Sequence, residues 1–219
     1  MRKRLHYFIL SVIIIVCFNI GIISKQFHKK INDYTDDFYV GLIDKNLVDS
    51  EIKIMRNNLD NSKYILLITC REGIEFDFSY GTQKVSIDSI IKGDNKISIG
   101  DEIDIIKIDT IFIPDDKQYG SFNMGFISEL KVGKKYIVFL NEIKKIDDSK
   151  SVFVYDSDYF ISPYFPIDKL FAYPIESDLS DGFFSKYNNA KEQDVLMMSY
   201  ESINQWEMFR KEIIEKYIN

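Results

Sequence analysis

The sequence predicts a mainly β protein: a small, twisted, five-stranded barrel with helices before and after it. Three observations carry that reading. Runs rich in Ile, Val, Leu and aromatic residues recur from Lys63 to Phe160, separated by turn residues. Glycines frame the reversals at Lys92-Gly93-Asp94 and Gly100-Asp101, where a hairpin demands positive φ. Helical spacing of apolar residues is confined to the flanks.

In chain order, Met1-Arg2-Lys3-Arg4 precedes a run from Leu5 to Ser24 without Lys, Arg, Asp or Glu. A basic segment before such a run is a membrane anchor or a signal peptide. Cleavage after Ser24 would leave Ile22 where a small residue is wanted, and Val16 stands where lipoprotein processing at Cys17 would want Gly, Ala or Ser. The reading is therefore an uncleaved transmembrane helix in residues 1–24, meeting the membrane through 5–24, with the body extracytoplasmic. Basic residues lie on both sides of the run, so the inverse topology, with a sensing body in the cytoplasm, is the alternative.

Residues 25–62 read as a juxtamembrane linker and a short helix. Leu47, Ile52, Met55 and Leu59 form its stripe, Asp49 or Ser50 caps it, and Asn57-Asn58 ends it. Residues 63–175 hold the barrel. KYILLITCRE is a strand buried on both faces, and Val85, Ile87 and Ile91 alternate on the next. In the third strand Ile103 and Ile105 share a face while Ile106 and Ile108 fall on the other, a phase slip that predicts a β-bulge. Residues 110–131 are expected to be a long connection of the kind that carries function. After Gly133 a central strand alternates Tyr136, Val138 and Leu140 against Ile137 and Phe139, and SVFVYDSDYF supplies the fifth. In 176–219 a C-terminal amphipathic helix is expected, with Ser202 and Gln205 as a capping box and Ile203, Trp206, Phe209, Ile213 and Tyr217 on its inner side.

Composition excludes several chemistries. All six basic residues of the first 30 lie beside the apolar run, so residues 31–219 set 22 Lys/Arg against 34 Asp/Glu, a formal charge of −12. Nucleic acid is not an expected partner of such a body. Of the two histidines, His6 lies in the first residues of the apolar run and His28 just after it, and Cys70 is the one thiol beyond it. Ser-His-Asp and Cys-His devices and thiolate/imidazole zinc sites are thereby removed. Leu66–Cys70 ends in Thr-Cys like a sortase strand, but without a histidine partner Cys70 reads as a buried structural thiol.

The stretches IIKGD (Ile90–Asp94), GDEIDII (Gly100–Ile106) and LKVGKKYIVFL (Leu130–Leu140) together resemble a group of Gram-positive extracytoplasmic proteins. Their domains are of the netrin-like, tissue-inhibitor-of-metalloproteinases type, a variant of the OB-fold. The resemblance covers Lys63 to Phe160 and implies an OB/netrin-like barrel without an assigned activity. The free N-terminal cysteine with which the animal inhibitors chelate zinc has no counterpart here, since Cys70 is internal.

Two functions remain. One is a non-catalytic extracytoplasmic interaction module of the cell envelope, membrane-tethered, binding an envelope protein through loop 110–131 or the aromatic segment 161–175. Tyr164, Phe165, Phe171 and Tyr173 are its candidate contact residues, because aromatic rings in a Pro-punctuated loop offer large contact area. The other is a carboxylate-dependent enzyme acting on envelope glycan through one of the pairs Asp36-Asp37, Asp115-Asp116, Asp147-Asp148, Asp156/Asp158 or Asp178/Asp181. No cofactor or metal is expected for either.

Overall fold

Alternation along the apolar strands sets the architecture. The computed structural model describes residues 38–76, 80–112, 120–145, 151–180 and 182–218, all within the compact unit Asp36–Asn219. The first elements are β1 (Tyr39–Gly41), α1 (Lys45–Asn58), β2 (Tyr64–Cys70), β3 (Glu75–Phe76), β4 (Gly81–Lys92), β5 (Glu102–Ile108), β6 (Thr110–Phe112) and β7 (Ser121–Asn123). There follow β8 (Lys135–Leu140), β9 (Glu142–Lys145), β10 (Ser151–Val154), β11 (Tyr164–Pro166), β12 (Phe184–Lys186), α2 (Tyr187–Ala190) and α3 (Tyr200–Tyr217). The protein is mainly β, with two mixed sheets and few helices.

The large sheet runs β11-β8-β2-β4-β5-β10-β9, with β3 paired to β4. Its pairs are antiparallel except β5 with β10, where Val152 lies beside Asp104. Tyr64, Leu66, Ile68 and Cys70 of β2 join Tyr136, Val138 and Leu140 of β8 in one core. The opposite parity, Ile65, Ile137 and Phe139, packs under α1 and α3 with Met55, Trp206 and Phe209. Period-2 alternation thus feeds two cores from one strand.

The expected bulge is present in the third strand. Gly81 pairs with Ile108 but Thr82 with Ile106, so Lys107 is the extra residue of β5. Ile103 and Ile105 consequently face the inner core, whereas Ile108 reaches the core of the small sheet.

Several expectations need correction. No closed barrel forms: the hydrogen-bonded path of the large sheet is open. The edge of β8 that closure would use is taken by β11, with Phe165 opposite Ile137. β8 ends at Leu140; Asn141 N donates to Val154 O of β10 at 2.8 Å, and Glu142–Lys145 runs on beside that strand. This pairing also buries Tyr164 and Phe165, so these two are core residues and not contact residues. Loop 110–131 is in part a hairpin, β6 with β7, in a second sheet ordered β12-β1-β7-β6. The first helix starts at Lys45, capped by Asp44, whose Oδ1 accepts from Leu47 N at 3.0 Å. Val48 is buried in its stripe in place of the exposed Leu47. The last helix is capped by Ser199, which accepts from Ser202 N at 3.1 Å, three residues before the expected box. Its inner face is as expected, with Ile203, Trp206, Phe209 and Ile213 buried. The expected transmembrane helix lies outside the described residues, among which no helix is long and apolar enough to cross a membrane.

Candidate functional site

The small sheet is built from three-residue strands, too short to bury both faces. Val40 and Phe122 turn into its core with Phe38 and Met124, and the Phe38 and Phe122 rings stack at 4.4 Å. On the sheet's surface a cavity of about 250 Å³ is walled by Phe112, Phe122, Phe126, Phe184 and Met124. Gly41, Thr110, Ser121 and Asn123 complete the lining, so among the described residues no ionisable side chain borders it. Phe112 is 59% exposed at the rim. Gly41 lies close under the Phe126 ring: a Cβ there would come within 3.2 Å of it and the ring would have to shift slightly.

Phe126 stands out by its backbone. Its φ of +53° is the only positive value at a non-glycine among the described residues, and it follows Gly125 at +55°. Such a pair of left-handed residues is held only where neighbours over-determine it. Here Gly125 N donates to Asn123 Oδ1 (3.2 Å) and Ser162 N to Gly125 O (2.8 Å). Leu196 N donates to Phe126 O at 2.9 Å. The Lys107 ammonium, extruded by the bulge, donates to Met124 O (2.9 Å) and Ile127 O (2.5 Å). Ser162 Oγ also donates to Met124 O.

Electrostatics around this knot follow from burial. Lys107 is buried and desolvation pushes it down to about 7, opposed by Asp109 and Glu129. Asp109, bonded by Asn123 Nδ2 at 3.1 Å, is itself pushed up by burial. Burial raises Tyr155 to about 12 and Tyr164, whose hydroxyl donates to Ile106 O at 2.8 Å, well above the ordinary phenol range.

The four predicted contact residues separate into two pairs. Tyr164 and Phe165 are fully buried. Phe171 and Tyr173 are 53% and 47% exposed and meet edge to face at 6.2 Å. Their backbone is pinned: Phe171 N donates to Asp194 Oδ2 (2.6 Å) and Tyr173 N to Gln193 Oε1 (2.8 Å), both acceptors being buried side chains. Two rings on a fixed strap present contact area at little entropic cost.

The carboxylates do other work where they are described. Asp156 accepts from Asn141 Nδ2 and Asp158 N, as turn aspartates do. Asp178 accepts from Lys186 N, Ser185 Oγ and Asn189 Nδ2, which holds it below the ordinary carboxylate range. Asp36-Asp37, Asp115-Asp116, Asp147-Asp148 and Asp181 lie outside the described residues. Cys70 is buried and its thiol pushed up to about 11, the state of an inert sulfur. Among the described residues no three His, Cys, Asp or Glu side chains converge to hold a metal.

Sequence reasoning pointed at 110–131 but missed the pocket. Its local signal was Asn123-Met124-Gly125-Phe126, a turn with glycine where a left-handed residue is wanted. The small sheet joins β1 and β12, remote in sequence, and leaves no periodicity to read. No protein-family model and no curated protein sequence matches this chain.

Proposed function

We propose that this chain is a non-catalytic interaction module of the cell envelope, membrane-tethered through residues 5–24, whose small sheet receives an apolar side chain of an extracytoplasmic protein partner. The observation that carries the reading is the pocket: about 250 Å³, four phenylalanines and a methionine, and no ionisable group on its walls among the described residues. Acid–base or nucleophilic catalysis needs a titratable group within reach of the reacting atom. A cavity below the usual ligand-site size of roughly 300–1,000 Å³ suits one or two side chains of a partner. The pinned Phe171 and Tyr173 rings offer a second contact of the same character.

An OB/netrin-like ancestry for the large sheet belongs to the same proposal. Three strands in a meander (β2, β4, β5), a fifth (β10) parallel to the third, and a bent fourth (β8 and β9) touching both the first and the fifth support it. The test is in-cell crosslinking of the full-length protein with a photoreactive amino acid in place of Phe184. One envelope protein is expected repeatedly, and Phe112→Asp should abolish that adduct while leaving the protein folded. An adduct insensitive to Phe112→Asp, or turnover of wall fragments by the purified protein, would overturn the reading.

A further inference from the structure

The most unusual buried group in the molecule is Lys107, and the function proposed above makes no use of it. An ammonium 2% exposed with no carboxylate in salt-bridge range among the described residues is costly, so its location needs a reason. The bulge in β5 turns this side chain inward, and its Nζ reaches the carbonyls on either side of the Gly125–Phe126 pair. Phe126, next to the left-handed Gly125, carries the strained backbone, and Met124 and Phe126 are walls of the pocket.

We propose that Lys107 is the positioning residue of the pocket: its ammonium draws the Met124 and Ile127 carbonyls together and holds Phe126 in the wall, and loss of that proton relaxes the wall. The biological meaning rests on the pocket being the binding site, but the state of the wall is a property of the chain alone. Charge-assisted bonds are about twice as strong as neutral ones, so a neutral amine holds the two carbonyls more weakly. The other bonds to the turn, from Ser162 and Leu196, carry no charge and cannot replace them.

The surroundings place the switch in an accessible range. Asp109 from the end of β5 and Glu129 from the following loop face Lys107 and favour its charge; Lys131 opposes it. From β11 the Tyr164 ring lies 5.7 Å from Nζ and favours the cation. Desolvation outweighs these and brings the group to about 7.

The test reads the wall directly in the full-length protein with p-fluorophenylalanine at the phenylalanine positions, the Phe126 resonance being assigned by its loss in Phe126→Leu. With no partner present, the Phe126 fluorine signal is expected to move in one step with a midpoint near pH 7. Lys107→Met should abolish the step. Asp109→Asn removes a charge that favours the ammonium and should move the midpoint to lower pH, and this variant decides if Lys107→Met does not fold. A Phe126 signal flat from mildly acidic to mildly alkaline pH, a step that survives Lys107→Met, or a midpoint unmoved in Asp109→Asn would overturn the proposal. Because no partner enters the experiment, failure here leaves the crosslinking result untouched, and the reverse holds.

Discussion

Two groups of aromatic rings in this chain are made of the same residue types and have opposite surroundings. Under α1 and α3, Phe165 stacks on Trp206 at 5.2 Å and meets Phe139 and Phe209 edge to face at 5.9 and 5.6 Å. Those rings are fully buried or nearly so. On the small sheet Phe112, Phe126 and Phe184 border open space. Two helices of 14 and 18 residues cover the first group, whereas the helix packed into the small sheet's core, Tyr187–Ala190, has a single turn. The difference teaches that cover, and not composition, decides whether a ring stabilises the fold or stays available to a partner.

The comparison can be broken most forcefully from the covered side. Phe165→Ala should cost about 3–5 kcal/mol in urea unfolding, the usual price of emptying a packed aromatic site. A loss near zero would mean that this core is no better packed than the pocket. Next in size is Gly125→Ala. At φ +55° a Cβ would lie 2.2 Å from Ser162 Oγ and 2.9 Å from the Tyr155 hydroxyl. Strain and overpacking together predict a loss of about 3 kcal/mol, and the Phe126 fluorine signal should shift with it.

A smaller effect depends on pH. Glu51 is buried in α1; its Oε1 accepts from Ile161 N, its Oε2 has no partner among the described residues, and burial raises its carboxyl above the ordinary value. A carboxyl raised in the folded state binds more protons there than in the unfolded chain, so it lowers stability as pH rises from the unfolded value through the folded one. Glu51→Gln should flatten that fall and gain about 1 kcal/mol at neutral pH; equal slopes for variant and parent would refute the assignment. Least of all should stability change in Phe171→Ser/Tyr173→Ser, within about 0.5 kcal/mol. If these rings bind, their loss weakens the partner adduct while the melting temperature stays put. A large drop in stability would instead assign them to the core.

Much of the large sheet was legible because its signals are local. Tyr136 to Leu140 alternates between two cores within five residues, and the slip at Ile105-Ile106 announced the bulge at Lys107. The inner face of α3 followed from 3.6-residue spacing. Caps were less legible, since Asp44 and Ser199 compete with equally suitable neighbours a few residues on. The pairing of β11 with β8 left no local trace. Pro166 at the end of β11 fits an edge strand as well as a loop, and the loop reading put Tyr164 and Phe165 on the surface.

The amino-acid order alone determined the long strands of the large sheet, which of their faces would be apolar, and that the body would carry acid charge without histidine. Only the tertiary structure decided which apolar faces would be covered, because cover comes from segments distant in sequence: α3 over β8, β11 beside it, β12 beside β1. The pocket and the buried lysine that braces its wall follow from that placement, and neither has a periodicity from which it could be read.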